Sequence, residues 1–279
     1  MSAVVQSITS RDNELVQRVR RLLSRPGGYL AAGQVWLEGD HLCQAWLDQG
    51  RAALHAVIEQ SAWDSRPDLR DLALRAARVA VVPLGLMKAM SGLETPGPLG
   101  MLVALRPSEA ESNAESTAPD PVEPGVAVGI PTVVLDRLQD PGNAGSILRS
   151  AAALGIRQVL ALEGTVALWS PKVLRAAMGA HFGLHIIEGL DVPALAPIAG
   201  QLVVTDSHEA QMLHEVVLPD EVAWVFGHEG AGVATALRAL APVRVRIPQP
   251  GGQESLNVAA AAAICLYEVA RRQACTSSG

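Results

Sequence analysis

Three segments in the second half of this 279-residue chain set glycine or proline beside a few polar residues, a composition suited to holding a ligand and doing chemistry on it. They are Leu135–Arg149 (LDRLQDPGNAGSILR), Val225–Val233 (VFGHEGAGV) and Ile247–Val258 (IPQPGGQESLNV). Glycine lacks the Cβ that blocks close approach, so loops of this kind bring backbone amides and carbonyls near a bound molecule. In the first segment Asp140-Pro141-Gly142 is a turn signal. Asn143, Ala144 and Gly145 then lead into the apolar stretch Ile147–Leu154, whose only charge is Arg149. An isolated Arg on a buried helix calls for an anionic partner. Asp136 or Asp140 fits that need, and so does a ligand, because the planar guanidinium suits a phosphate or a reacting oxygen. Gly145, one turn earlier on the same face, leaves space beside it.

In the second segment Gly227, Gly230 and Gly232 surround a single carboxylate, Glu229. The spacing matches neither G-x-x-x-x-G-K-[ST] nor G-x-G-x-x-G, which argues against a phosphate cradle. His228 reads as polar lining or as a partner of the backbone, with direct proton transfer the alternative. In the third, Gly251 and Gly252 precede Glu254, Ser255, Leu256 and Asn257, where a helix starts. Ser255 is the expected N-cap, and Asn257, one turn in, needs a polar partner or a ligand. No G-x-S-x-G elbow surrounds Ser255, so it is no serine-hydrolase nucleophile. No metal site is expected: Gly183 separates His181 from His185 ahead of a strand, and His208 and His214 sit in a polar loop. Cys43, Cys265 and Cys275 are scattered, which fits a reducing cytosol and gives no disulfide or zinc framework.

Short apolar runs must position these loops. Strands are expected at Thr132–Leu135, Gln158–Leu162, Leu184–Ile187, Leu202–Thr205, Ala223–Phe226 and Val243–Ile247, with helices between them and an Ala-rich helix Leu256–Arg271 at the end. Strands alternating with helices imply a parallel sheet covered on both faces. Ligands of such sheets sit beyond the carboxyl ends of the strands. Leu135, Phe226 and Ile247 each end a strand and run into one of the three loops, so the motifs converge on one edge.

Residues 107–125 are rich in Pro, Ser, Glu, Asn and Asp and can bury little. The chain is therefore expected to divide into residues 1–106, a linker over 107–130 and residues 131–279. The first part reads as a small α/β domain: a helix Arg11–Ser24, strands Gly33–Leu37, Ala53–Ile58, Val79–Val82 and Met101–Leu105, and helices Asp40–Asp48 and Asp68–Ala77. Net charge is −6, yet the first 106 residues hold 12 Lys and Arg against 10 Asp and Glu. A polyanion would find its grip there, though the plain reading of so small an excess is a solvated mixed-charge surface. No run of about 18 apolar residues free of charge marks a membrane span, and the N-terminus lacks the order of a secretory signal. Aromatic residues are only 3% of the chain, so the core is built from Ala, Val and Leu.

Taken together, the three segments resemble the signature motifs of the SpoU (TrmH) family, the S-adenosylmethionine-dependent RNA ribose 2′-O-methyltransferases of the SPOUT superfamily. Asp140 to Arg149 matches D-P-x-N-x-G-[ST]-I-x-R, Gly227 to Gly232 matches G-x-E-G-x-G, and Ser255 to Val258 is S-L-N-V, preceded by Ile247-Pro248. The resemblance covers about residues 131–272. It implies an α/β methyltransferase domain with a parallel sheet and a deep trefoil knot, an exception to unknotted chains. It also implies a cytoplasmic homodimer with its site near the subunit interface. The first part resembles the family's accessory RNA-binding domain of the L7Ae and L30e type, through Ser10-Arg11-Asp12-Asn13, the helix with Arg20 and Arg21, Leu37-Glu38-Gly39 and Thr95–Gly100.

Carried over residue by residue, the resemblance has Gly227, Gly230, Ile247 and Leu256 line the S-adenosylmethionine pocket. Arg149 would engage the ribose 2′-hydroxyl or its neighbouring phosphate, and Asn143, Glu229, Ser255 and Asn257 would shape the loops and orient Arg149 and the substrate. Methyl transfer from a sulfonium needs an oxygen nucleophile in line with the methyl and a path for its proton. Arg149 is a poor base, so the proton would leave to a phosphate, to Glu229 or to water. His228 stands where relatives often have Asn, Gln249 where Met is frequent, and Pro26-Gly27-Gly28 where basic residues often continue. The expected substrate is structured rRNA, ahead of tRNA. A catalytically silent RNA-binding or ribosome-assembly protein and a methyltransferase for a non-RNA acceptor are the alternatives.

Overall fold

The computed structural model describes residues 3–25, 27–105, 125–206, 210–251 and 255–276. In chain order the elements are β1 Val4–Ser7, α1 Glu14–Ser24, α2 Gly28–Ala32, β2 Gln34–Glu38, α3 Asp40–Asp48, β3 His55–Glu59, α4 Gln60–Ser65, α5 Pro67–Ala73, β4 Arg78–Val82, α6 Leu84–Ala89 and β5 Leu99–Ala104. There follow β6 Thr132–Leu135, α7 Pro141–Ala153, β7 Gln158–Leu162, α8 Pro171–Ala177, β8 His185–Leu190, β9 Leu202–Thr205, β10 Gln211–Met212, β11 Ala223–Phe226, α9 Thr235–Leu240, β12 Val243–Arg246 and α10 Val258–Thr276. Two 3₁₀ segments, Ala180–Gly183 and Val192–Gln201, flank β8. His208, Gly252, Glu254 and most of the expected linker lie outside the described residues.

The chain forms two compact units. The first takes residues 1–119 together with Trp169–Phe182, in their described parts. Its five-stranded sheet runs β1-β4-β3-β5-β2. The β1–β4 and β3–β4 pairs are parallel, while β5 is antiparallel to β3 and β2. Val16 and Val19 of α1 and Leu86, Met87 and Met90 of α6 and its end pack on Trp36, Val57 and Leu102. Asn13 caps α1 by accepting from the Leu15 N–H at 2.9 Å. Gly100 of β5 faces the Trp36 indole so closely that a Cβ there would lie 2.2 Å from the ring, which leaves room for glycine alone. β1 was not expected, because its residues are all exposed and carry no burial pattern to read.

The segment Trp169–Phe182, drawn from between β7 and β8, completes this first unit. Phe182 meets Trp46 edge-on with ring centroids 5.3 Å apart. Arg51 donates to the Phe182 carbonyl at 3.2 Å and lies 4.9 Å from the Trp46 ring centre, a cation–π geometry. The Trp169 N–H reaches the Tyr29 hydroxyl at 3.4 Å.

A buried carboxylate organises the same unit. Glu38, 7% exposed, accepts from the Ser91 hydroxyl at 2.6 Å and from the Gly92 and Gly97 N–H groups, both at 3.2 Å. The stretches 37–39 and 95–100 singled out in the sequence thus meet through one side chain. The Ser91 hydroxyl keeps the Leu93 carbonyl at 3.1 Å, but replacing Glu38 leaves the Gly92 and Gly97 N–H groups without this acceptor, so Glu38→Ala is expected to lower urea-denaturation stability by about 3 kcal/mol. A change under about 0.5 kcal/mol would show that water satisfies these donors equally well.

The second unit takes residues 120–168 and 183–279, in their described parts. Its seven strands run β10-β12-β9-β11-β6-β7-β8, every neighbouring pair parallel. The residues of β6, β7 and β11 are all buried, as strands covered on both faces require. Leu195, Ile198 and Leu237 cover one face, on Val134, Leu160, Val204 and Val225. α10 packs along α7, and its Ala262, Cys265 and Leu266 are buried. The six expected strands form, five within one residue of their expected bounds, while β8 runs three residues past its expected end at Ile187. The short β10 was not anticipated.

Candidate active site

Because β6, β11 and β12 run parallel, the loops that leave them gather at one edge of the second unit's sheet. Asp136, the first residue after β6, is buried. Its carboxylate pairs with Arg137 at 2.8 and 3.0 Å and accepts the Ala234 N–H at 2.7 Å, tying the first loop to the second. Asp140 is the N-cap of α7: its carboxylate accepts the Asn143 N–H at 2.7 Å, and Pro141 takes the first helical position, where no N–H is needed. Neither aspartate is the partner of Arg149.

The second loop is a tight turn. His228 and Gly232 pair backbone to backbone, His228 N–H to Gly232 O at 3.2 Å and Gly232 N–H to His228 O at 2.8 Å. Gly232 takes φ +65°, a conformation that favours glycine. The His228 ring folds over the turn, and its Nδ1 accepts the N–H groups of Gly230 at 2.9 Å and Ala231 at 3.2 Å.

Glu229 at the tip reaches across to the first loop. Its Oε1 accepts the Asp140 N–H at 3.0 Å and the Asn143 amide at 3.2 Å, and its Oε2 accepts the Gln139 N–H at 3.2 Å. Asn143 accepts in turn from the Asn257 amide at 3.0 Å. Asn257 Oδ1 accepts the Ala259 and Ala260 N–H groups at 2.9 and 3.2 Å, capping α10. One chain of side chains, Asn257 to Asn143 to Glu229, therefore joins all three loops.

Burial acts to raise the pKa of Glu229. Hydrogen bonds from its own N–H, the Asp140 N–H, the Asn143 amide and the Gln139 N–H outweigh it, and the carboxyl titrates below the usual glutamate range. A depressed carboxyl pKa stabilises the fold above the unfolded value of about 4.3, and that contribution disappears as pH falls through the folded value. The stability gap between the wild type and Glu229→Gln is thus expected to be constant from about pH 6 to 8. As pH falls below the unfolded value and then through the folded one, it should narrow. A gap that did not narrow at all in acid would rule out ionisation as its cause.

Two expectations need correction. Ser255 does not cap α10: the helix begins at Val258, so the capping place falls to Asn257, and Ser255 is exposed with no hydrogen bond to a described residue. Arg149 does not lie on a buried face. Gly145 is buried but Arg149 is exposed, and it makes no hydrogen bond or ion pair with a described residue. The helix buries Ala144, Ile147, Leu148 and Ala151 and presents Gly142, Ser146 and Arg149 outward. Gly227 is buried, Gly230 and Leu256 are exposed, and Ile247 directly follows β12, half-buried. The sequence names Asp136 only as a partner for Arg149, not as the tie between two loops, and does not single out Gln139. The signal available for Asp136 was a carboxylate placed directly after an apolar strand.

A parallel sheet with three polar loops at one strand edge, joined by an Asn–Asn–Glu relay, defines a ligand-binding α/β domain. The chain belongs to the SpoU rRNA Methylase family, whose pattern matches residues 131–267. It is 31% identical over 280 residues to an uncharacterized tRNA/rRNA methyltransferase of Synechocystis sp., covering 98% of this chain and 96% of that one. It is 36% identical over 148 residues to the 23S rRNA (guanosine-2′-O-)-methyltransferase RlmB of Bordetella pertussis, a stretch that covers 50% of this chain and 59% of the relative. The crystal structure of an AdoMet-bound rRNA methyltransferase from Sinorhizobium meliloti is similar throughout, with TM-score 0.76, 26% identity, and coverage of 96% of this chain and 98% of that one.

Proposed function

We propose that this chain transfers the methyl group of S-adenosylmethionine to a ribose 2′-hydroxyl of rRNA. The observation that carries the reading is the Asn257–Asn143–Glu229 relay, which fixes three loops at one sheet edge while leaving Arg149 exposed, with no partner among the described residues, on the same helix as Asn143. The names of the relatives support rRNA over tRNA as the acceptor.

The residues present fit the methyl donor. Gln249, two residues after Ile247, holds its Oε1 buried with no hydrogen-bond partner among the described residues. Such an acceptor suits an amino group of a ligand, and S-adenosylmethionine carries two. Gln249→Met is therefore expected to weaken S-adenosylmethionine binding about 10-fold in calorimetry while raising unfolding stability by up to about 1 kcal/mol. A variant that loses stability and keeps its affinity would remove Gln249 from the pocket.

S-adenosylmethionine supplies an electrophilic methyl group when bound. The chain's own residues do the rest. Gly227, Gly230, Ile247 and Leu256 line the pocket. Arg149 holds the 2′-hydroxyl or the adjacent phosphate with its guanidinium fork, stabilising the oxygen as its negative charge develops. Glu229 is a weak candidate for the proton, because its acidified carboxylate already accepts three N–H groups. We assign it to shaping the loops, with the 2′-hydroxyl proton leaving to phosphate or water. Ser255 borders the third loop beside Asn257.

The first unit serves as the RNA-binding part, with Arg11, Arg18, Arg20, Arg21 and Arg25 exposed on and around α1. Leu256, Ile264 and Tyr267, exposed at and along α10, supply an apolar face for a homodimer. The strand order β12-β9-β11-β6 is compatible with a knotted path. No helix among the described residues is long and apolar enough to cross a membrane.

The test is transfer of radiolabelled methyl into rRNA and, separately, into tRNA, each from cells lacking the modification. Label in the ribose 2′-O-methyl of rRNA alone is expected. Label in tRNA alone would move the substrate, and no label in either pool with the donor still bound would turn the reading toward a silent or non-RNA role.

A further inference from the structure

We propose that His228 is a positioning residue of the second loop, acting as the neutral imidazole protonated on Nε2, and that charging the ring opens the turn. The proposal rests on the reading of 227–232 as part of the methyl donor's pocket.

His228 Nδ1 accepts two N–H groups at once, those of Gly230 and Ala231 at 2.9 and 3.2 Å. A nitrogen that accepts carries no proton, so the ring proton sits on Nε2, which has no partner among the described residues. The imidazolium has an N–H at both nitrogens and can accept at neither. Charging His228 therefore sets a third donor against two others and removes the only side chain among the described residues that holds the Gly230 and Ala231 N–H groups. The same turn carries Glu229, whose carboxylate reaches Asp140, Gln139 and Asn143. Opening the turn thus moves the anchor of the relay that joins the three loops.

The charged groups around the turn do not replace this acceptor. Glu229, on the turn, and Asp140, at the head of α7, are occupied by N–H donors. Asp136, beyond β6, holds Arg137 and the Ala234 N–H, and Arg137 itself donates to the Gly232 carbonyl at 3.4 Å. Asparagine is the informative substitution. Its side-chain oxygen accepts backbone N–H groups two or three residues on, as in an Asx turn, and it does not titrate.

The experiment compares the full-length wild type, His228→Asn and His228→Ala between about pH 5.5 and 8.5, a range that spans histidine titration. Hydrogen exchange at the Gly230 and Ala231 amides, read without any ligand, reports the turn. S-adenosylmethionine affinity by calorimetry reports its consequence. Wild type is expected to protect both amides at pH 8.5 and to lose about 10-fold of that protection and of affinity at pH 5.5, the scale of a lost pair of hydrogen bonds. The Asn variant should hold both readouts nearly constant across the range, and the Ala variant should be weak throughout. Acid loss in the Asn variant equal to that of the wild type, or full protection in the Ala variant, would overturn the proposal. Should S-adenosylmethionine bind at no pH, the pocket reading falls, and the amide exchange still decides the role of His228.

Discussion

Arg149→Ala is expected to slow methyl transfer by at least about 100-fold, the scale of removing one preorganised charge-stabilising donor, with thermal stability and S-adenosylmethionine affinity unchanged. The unusual part is the second half. An arginine in mid-helix normally takes part in packing or pairing, and its loss destabilises the fold. Arg149 is exposed and makes no hydrogen bond or ion pair with a described residue, so the described fold has little to lose. Single-turnover methylation beside thermal melts of the same preparations checks both halves. Arg149→Lys separates charge from geometry: lysine keeps the charge and loses the fork, so an intermediate rate is expected. Wild-type turnover in the Lys variant would dismiss the bidentate role, and a large fall in melting temperature in the Ala variant would mean the side chain has a structural partner.

Gly227→Ala is expected to damage both the fold and the methyl donor's pocket, although it adds a single methyl group. An added Cβ would lie 2.3 Å from the Gly232 carbonyl carbon and the Val233 nitrogen, and 2.5 Å from the Gly232 oxygen. These are backbone atoms of the returning limb of the turn, held by the His228–Gly232 pairing, and they cannot swing aside as a side chain does. The turn must open, at a cost of about 3 kcal/mol, and S-adenosylmethionine binding should fall by more than 100-fold, equivalent to about 2.7 kcal/mol. Gly230→Ala is the control. Its Cβ would meet the His228 ring at 3.7 Å, ordinary contact, so stability should change by less than about 0.5 kcal/mol. Equal melting temperatures for the two variants would contradict the steric account.

The central strands β6, β7 and β11 of the second unit were legible because they are short, apolar and buried on both faces, and the polar loops after β6 and β11 stood out against that background. Asn143, Glu229 and Asn257 could be named, since uncharged polar residues and a lone carboxylate among glycines are conspicuous. Their pairing could not. It depends on which side chain faces which across 86 and 114 residues of sequence, and no local pattern encodes that. Ser255 and Asn257 are both good caps, so the choice turned on where α10 begins, a boundary that propensity fixes only to a few residues. Arg149 was misjudged for a related reason. One charge among apolar residues looks buried until the helix's angular placement is known.

The packing of Trp169–Phe182 on the first unit has a consequence for synthesis. Arg51 leaves the ribosome 131 residues before the Phe182 carbonyl it binds, and Tyr29 140 residues before its partner Trp169. At about 5 to 20 residues per second the nascent first unit waits on the order of 10 s with its Trp46 face uncovered. Translation order therefore makes this chain a single piece of work: its leading half is finished by amino acids that arrive only after the trailing half is under way.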